Sequence, residues 1–343
     1  MKKPIAVIDL YCGMGGFTQG AIEAGATVIL SCDFWEEAVK VHKLNHPGVP
    51  CLQLKLGSKS DWKLIKQFID KYPNYHIHLH GSPPCQALSQ ASKTNADEGM
   101  PLILHFLDLV EKLKPDSWSM ENVVPMRKRL PEGTPSVILN SADFGVPQTR
   151  RRCIAGEGWS AKPSHSKENW VSIIQALPHL ENELITHLQG YSRRRPIMNK
   201  GVYTGKSTPR VPPDGCKTLD EPSFTVCSGS MNLFRMDSGR ANSKTTGINP
   251  KTGKKEGGAG YLSRSIENPS YTIMTSPRNI VTHNEEKPIK IRSLTIEETL
   301  ILQGFISSYD LSTTKTKKSR FTMVGNAVCP AVARAIIEGI QNG

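Results

Sequence analysis

Apolar residues in the first half of the chain come in short runs separated by longer stretches where they recur every three or four positions. Ile5 to Leu10 and Thr27 to Ser31 are such runs, and amphipathic stretches begin after them at about Phe17 and about Glu36. A short apolar run bounded by a turn reads as a buried strand, and the periodic stretch as a helix with one face on the core. Their alternation predicts an α/β fold, a parallel sheet with helices on both faces. Ile77-His78-Leu79-His80 is a further apolar run, broken by Gly81-Ser82. A helix is expected from Leu102 to Leu113, where Leu102, Phe106, Val110 and Leu113 share a stripe with Ile103 and Leu107 beside it, and Pro115 stops it. Ser117 to Met120 follows as a strand.

Past Trp159 the periodicity weakens, and Ser, Thr, Gly, Pro, Lys and Arg dominate to about Glu286, before helical signals resume at Ser293 to Gln303. That segment reads as a second, loop-rich domain. Within it Glu221 to Val226 and Asn268 to Ile273 echo each other as a turn followed by a short strand.

Composition narrows the class. A chain of 343 residues with 38% hydrophobic content can bury the core of one large domain and a smaller one. Its 43 basic against 31 acidic residues give a net charge of +12, which favours an anionic partner such as nucleic acid. Basic clusters stand at Arg150 to Arg152, Arg193 to Arg195 and Lys315 to Arg320. Pro4 to Tyr11 is too short for a secretory apolar region, and no run is expected to span a membrane. The eight cysteines are scattered without a Cys-x-x-Cys pair, so neither a zinc ribbon nor a disulfide framework is expected, no metal is called for, and the setting is reducing and intracellular.

Candidate chemistry gathers at the ends of the expected strands. Asp9-Leu10-Tyr11-Cys12-Gly13-Met14-Gly15-Gly16 closes the first strand with a glycine turn that opens a helix, and Asp33 ends the second strand. Glycines admit close approach of a ligand to the backbone, and a carboxylate at the second strand's end suits two ribose hydroxyls, so the pair points to an adenosine-containing cofactor. Taken alone, the turn is equally well explained by a backbone that needs positive φ. Pro83-Pro84-Cys85-Gln86 holds a thiol on a stiff loop, because the prolines fix φ; a free cysteine by itself is more often a small buried apolar group. Glu121, in Met120-Glu121-Asn122-Val123, stands at the end of another strand, and in Gln148-Thr149-Arg150-Arg151-Arg152 strand alternation sends Arg150 and Arg152 to one side. An open parallel sheet collects its ligands along the edge where these residues fall.

In this order the segments resemble the cytosine-C5 DNA methyltransferases, over most of the chain. The glycine turn is similar to that family's first motif, Pro83 to Gln86 to its nucleophile loop, Glu121-Asn122-Val123 to its acid motif and Gln148-x-Arg150-x-Arg152 to its arginine motif. Arg292-x-Leu294-Thr295 with Glu297 and Leu302 to Phe305 resembles the ninth motif, and Gly325-Asn326-Ala327-Val328 the tenth. The resemblance implies a Rossmann-like S-adenosylmethionine-dependent methyltransferase sheet with helices on both faces, plus a smaller loop-rich target-recognition domain. Catalytic and cofactor-binding residues would occupy 1–180 and 307–343, target recognition 181–287, and a motif-bearing hinge 288–306.

It also implies roles. Cys85, Glu121, Arg150 and Arg152 are the catalytic set. Asp9, Tyr11, Gly13, Gly15, Asp33, Phe34, Leu102, Asn326, Ala327 and Val328 would surround S-adenosylmethionine, and Pro84, Gln86, Ser89, Asn122, Val123 and Gln148 would meet the substrate. The thiol of Cys85 would add to carbon 6 of a cytosine flipped out of double-stranded DNA, and carbon 5 would take the methyl group. The chain departs from the pattern where Tyr11 replaces the commoner Phe, where Leu88 and Cys329 stand, and in Leu52 to Asp61, which has no clear partner for the adenine amine. An enzyme of the compact type acting inside the cell on a short specific site is expected, with a monomer as the default state; a cognate restriction endonuclease sharing the site is a companion on which the sequence itself is silent. A tRNA cytosine methyltransferase of the same fold and a catalytically silent DNA-binding protein remain alternatives.

Overall fold

The computed structural model describes residues 2–84, 100–180, 197–204, 231–237, 263–265, 270–271 and 288–342, with the strands between 197 and 293 described by their backbone. Cys85, Gln86, Ser89 and the echo at Glu221 to Val226 lie outside the described residues.

The first five strands, β1 (Ile5–Leu10), β2 (Thr27–Asp33), β3 (Cys51–Gln53), β4 (His76–Gly81) and β5 (Ser117–Asn122), are joined by α1 (Gly16–Glu23), α2 (Glu36–Asn45), α3 (Asp61–Ile69) and α4 (Met100–Leu113). β1, β2, β4, β5, α1, α2 and α4 match the expected elements to within a few residues, whereas β3 and α3 were not expected. β6 (Ser136–Asn140), β7 (Gln148–Thr149) and β8 (Arg151–Glu157) follow. The main sheet has seven strands in the order β3-β2-β1-β4-β5-β8-β6. Strands β1 to β5 are mutually parallel, whereas β8 runs antiparallel to both β5 and β6. A wholly parallel sheet is therefore too simple a description. No helix separates β7 from β8, so the chain reaches β8 from the edge that carries the carboxyl ends of β1 to β5. That reversal brings the amino end of β8 to the functional edge.

Strict alternation assigns the strand side chains to two faces. Ala6, Ile8 and Leu10 with Leu79, Trp118 and Met120 pack on Ile65 of α3 and Ile103, Phe106 and Leu109 of α4. Ile5, Val7 and Val28 pack instead on Phe17 and Ala21 of α1 and on Val332, Ala333 and Ile336 of the C-terminal helix. Burying such side chains at about 25 cal/mol per Å² of apolar area is the main stabilising contribution.

A short helix, α5 (Ile173–Ala176), precedes a four-stranded antiparallel sheet in the order β11-β9-β10-β13, built from β9 (Ile197–Thr204), β10 (Met231–Asp237), β11 (Ser263–Ser265) and β13 (Pro288–Ser293). β12 (Ser270–Tyr271) pairs instead with β7. The start of the expected hinge, residues 288–293, is thus an edge strand of this second sheet.

The chain then returns through α6 (Ile296–Gln303), α7 (Lys317–Asn326) and α8 (Pro330–Asn342). Thr295 and Glu298 form a reciprocal capping box at the start of α6, and Gly304 ends it at φ 90°. Lys317–Gln341 is long and apolar enough by composition to cross a membrane, but 72% of its most apolar window is buried inside the protein, where it forms core helices.

Candidate active site

The glycine turn is shaped by its backbone and by what presses on it. Tyr11, Gly13 and Gly15 have φ of 56°, 54° and 98°, a region side chains rarely adopt. A Cβ on Gly15 would stand 2.8 Å from His42 Cδ2 and 2.9 Å from His46, and one on Gly16 only 2.1 Å from the Val328 carbonyl oxygen. Around Gly13 that position is open, so the turn is sealed behind and accessible in front. His46 bonds the Tyr309 hydroxyl at 3.1 Å, and that hydroxyl donates to the Met14 carbonyl.

Two aspartates hold the turn. Asp33 accepts the Gly13 N–H and the Trp35 N–H, both at 2.8 Å. Burial raises the Asp33 carboxyl above its ordinary range, opposed by those backbone bonds. Asp9 is more deeply buried, and its Oδ2 accepts the Thr18 N–H at 3.1 Å and the Thr18 hydroxyl at 2.7 Å. Desolvation pushes Asp9 up to about 7 against the pull of Thr18.

Beyond Asp33, Phe34 is 57% exposed, a bare aromatic face at the strand end. Leu102 is half-buried and lies 3.8 Å from where a Cβ on Gly57 would be. Asp61 accepts the Gly57 and Ser58 N–H groups and pairs with His105 of α4 at 3.1 Å, so its Oδ2 is committed to its own loop and to α4. Ala327 and Val328 are buried against the turn, whereas Asn326 is exposed.

The acid motif and the arginines meet at the same edge. Glu121 is 7% exposed and pairs with Arg152 Nε at 3.0 Å and Arg150 Nη2 at 3.9 Å. Arg150 is buried and donates through Nη1 to the Gly325 carbonyl at 2.9 Å, while Arg151 points outward to solvent. The expected alternation therefore holds, and the reversal of β8 makes the meeting possible. Asn122 donates to the Pro83 carbonyl at 3.1 Å and accepts the Val123 N–H. Pro83 is buried and Pro84 half-buried, so the last described residues before Cys85 are anchored to the acid motif.

Gln148 is fully buried, and its amide donates to the Leu302 carbonyl and to Gln303 Oε1. Gln303 donates in turn to the Ala327 carbonyl at 2.7 Å. The arginine, ninth and tenth motifs thus interlock through one buried amide relay. Gln303, Thr18, His42, His46 and Tyr309 have no role in the sequence reading. For Gln303 the signal was its place in a motif; for the others spacing offers none.

A methyl-donor nucleoside fits this edge on three observations. The front of Gly13 is open, the Phe34 face is bare, and the Tyr11 hydroxyl is buried without a partner among the described residues.

Comparison with known proteins agrees. The C-5 cytosine-specific DNA methylase family matches residues 5–342. The chain is 27% identical over 365 residues to Type II methyltransferase M1.HphI of Haemophilus parahaemolyticus, covering 98% of this chain and 86% of that protein. It is 26% identical over 355 residues to Type II methyltransferase M.HindV of Haemophilus influenzae, covering 98% and 96%. The Entamoeba histolytica methyltransferase EhMeth shares the fold at TM-score 0.55 and 18% identity, over 99% of both chains. A mutant of Spodoptera frugiperda DNMT2 does so at TM-score 0.54 and 16% identity, over 98% of this chain and 99% of that one. The chain belongs to the C-5 cytosine-specific DNA methylase family. It is a DNA cytosine-5-methyltransferase, with S-adenosylmethionine as its methyl donor.

Proposed function

We propose that the chain methylates carbon 5 of a cytosine flipped out of double-stranded DNA at a short specific sequence, through a transient bond between Cys85 and carbon 6. The observation that carries this is the pairing of buried Glu121 with Arg152 and Arg150 beside the Asn122-anchored Pro83-Pro84. A carboxylate fixed between two guanidinium groups is preorganised toward a polar ring edge and needs no rearrangement when charge develops there.

S-adenosylmethionine supplies an electrophilic methyl group on a sulfonium. Tyr11, Gly13 and Gly15 would lie along its methionine part, Asp33 at the ribose and Phe34 against the adenine, with Asp9 behind the turn and Leu102, Asn326, Ala327 and Val328 completing the pocket. Cytosine carbon 5 is a weak nucleophile. A thiolate at Cys85 adds to carbon 6, and the displaced electron pair enriches carbon 5. Glu121 holds N3 and the exocyclic amine as the ring gains charge. Carbon 5 takes the methyl group and then gives its proton to water, and the electron pair left behind re-forms the ring double bond as the carbon 6–sulfur bond breaks and Cys85 leaves as thiolate. Arg152 contacts the base and Arg150 supports the loop, while Pro84, Gln86, Ser89, Val123 and Gln148 complete the substrate side.

The domain division follows: 1–180 with 307–343 carries the chemistry, and 181–287, which contributes strands to the four-stranded sheet, reads the site. The Type II names of the relatives favour a restriction-modification setting inside a cell, with an endonuclease sharing the site. The +12 charge suits a phosphate backbone.

The test is methyl transfer from labelled S-adenosylmethionine to duplex DNA and, separately, to tRNA, with Cys85→Ser as control. Labelled DNA with the wild type and none with the variant is the expected result. Labelling of tRNA alone, or of DNA by the variant at the wild-type rate, contradicts the proposal. Bisulfite sequencing of the product then gives the recognition site.

A further inference from the structure

An unbroken file of alternating histidines and serines crosses the sheet between β4 and β5. His76 Nε2 meets Ser117 Oγ at 2.8 Å, and the same oxygen meets His78 Nδ1 at 2.8 Å. His78 Nε2 meets Ser119 Oγ at 2.9 Å, Ser119 Oγ meets His80 Nδ1 at 2.8 Å, and His80 Nε2 meets Ser82 Oγ at 3.0 Å. The parallel register sets His78 against Ser117 and His80 against Ser119. One end is half-buried His76, which opens into a cavity of about 810 Å³ lined also by Lys2, Lys3, Trp159 and Gln341. The other end is Ser82, at the catalytic edge, three residues ahead of Cys85.

A structural tie between two strands needs no such continuity, because backbone bonds already join β4 to β5. Each neutral imidazole has one N–H and one bare nitrogen, and each hydroxyl has one proton to give and lone pairs to receive. No hydroxyl proton is left over only when all the bonds in the file point the same way. Phe17 stacks on His80 with ring centroids 3.5 Å apart and also lies against His78 at 5.9 Å. The rings are thereby held flat in one row. Burial holds His78 down to about 3 and His80 well below its ordinary value, so the row stays neutral at physiological pH.

We propose that this file is a proton conduit between the catalytic edge and the opposite edge of the sheet, and that it takes up the Cys85 proton when the thiolate forms. The inference rests on the covalent reaction proposed above. A proton arriving at Ser82 Oγ sends the Ser82 hydroxyl proton to His80 Nε2, and His80 Nδ1–H passes its proton to Ser119 Oγ. Ser119 then gives to His78 Nε2, His78 Nδ1–H to Ser117 Oγ, and Ser117 to His76 Nε2, while the His76 Nδ1 proton leaves to water. Every group ends neutral with its donor and acceptor sides exchanged, and one proton has left for the one that entered. Elimination of Cys85 as thiolate at the end of the cycle runs the same shift backwards, restoring thiol and file together without any ring having to turn over beneath Phe17.

The experiment is the rate of covalent adduct formation on duplex DNA carrying 5-fluorocytosine, measured by rapid quench in mixtures of H2O and D2O. The full-length wild type is compared with Ser119→Ala and His78→Gln. The alanine removes one relay oxygen, and the glutamine can hydrogen-bond but cannot hand a proton through. With the wild type, a solvent isotope effect that curves with deuterium fraction is expected, since several protons move at once. Variants that keep the wild-type circular dichroism and DNA affinity should slow adduct formation at least about tenfold, the low side of what positioned proton transfer contributes, and lose the curvature. A folded variant with an unchanged rate and isotope effect overturns the conduit while leaving the covalent reaction standing. Failure of the wild type to form any adduct overturns both. If Ser119→Ala does not fold, His78→Gln alone decides.

Discussion

At the scale of single residues, the site works by holding charged groups in fixed company. Glu121 is almost wholly buried and held in place, because Arg152 and Arg150 flank it. Glu121→Gln keeps the shape and removes the charge; kcat should fall about 10² to 10³-fold with little change in S-adenosylmethionine affinity, a split that steady-state kinetics and a binding titration read separately. Asp9 makes a prediction about pH. Its carboxyl ionises near 3.8 in an unfolded chain but holds its proton up to about 7 when folded. Between those values the folded state binds more protons, so this group's contribution to stability declines as pH rises, by at most about 1.4 kcal/mol per unit, and levels off above 7. Asp9→Asn should therefore gain more in melting temperature, relative to wild type, at pH 7.5 than at pH 5. An equal difference at both would show that the carboxyl is not held protonated. Glu121, the arginines and the glycine turn could be found in the sequence because motif spacing marks them. The His-Ser file could not be found that way, since Ile77 to His80 passes as an apolar run and only strand register reveals that its histidines face serines.

At the scale of elements, the apolar runs marked β1, β2, β4 and β5 with α1, α2 and α4 to within a few residues, because one buried face per element is a local property of sequence, whereas the short β3 and the helix α3 after it were not among the expected elements. The direction of β8 is not local. It depends on which edge the chain occupies on leaving β7, and it decides whether Arg150 and Arg152 can meet Glu121. The interlock of α6 and α7 with the arginine motif is likewise tertiary: Gln148 bonds Leu302 and Gln303, and Gln303 bonds Ala327. Gln303→Leu would leave the Ala327 carbonyl and the Gln148 amide short of partners, so we expect a loss of about 1 to 3 kcal/mol in chemical denaturation. Gly16→Ala should be worse. Its Cβ would meet the Val328 carbonyl oxygen at 2.1 Å, and backbone cannot yield as a side chain tip does. Loss of S-adenosylmethionine binding together with a lowered melting temperature is the expected outcome, and wild-type affinity would contradict the packing described.

At the scale of the whole molecule, buried neutral histidines set the acid limit. Burial lowers His42 to about 3, His46 to about 4 and His78 to about 3, from an ordinary value near 6.5. Below 6.5 the unfolded chain takes up protons that the folded chain refuses, so stability is lost as pH falls, by about 1.4 kcal/mol per unit for each such group. Asp9 and Asp33, whose carboxyls burial raises, oppose this slope, and the three histidines, with His80 lowered beside them, outweigh the pair. Since domains of this kind are stable by only about 5 to 15 kcal/mol, cooperative unfolding between about pH 6 and 4.5 is expected, followed by circular dichroism; a native spectrum retained at pH 4 would contradict it. The segment past Trp159 was expected to form a second, loop-rich domain because its periodicity is weak and its composition polar. Its four-stranded sheet was not legible, as pairings such as β10 with β13 join strands far apart in the chain.

The proposed chemistry turns on Cys85 as the covalent handle for a flipped cytosine. Its most direct measurement is peptide mass spectrometry of the complex trapped on duplex DNA carrying 5-fluorocytosine at the methylated position, in the presence of S-adenosylmethionine. Fluorine cannot leave as a proton does, so elimination stops with the base still attached. One modified peptide is expected, spanning Pro83-Pro84-Cys85-Gln86, with the base on Cys85; attachment at another residue, or an active enzyme that leaves no adduct, would contradict a covalent role for this thiol.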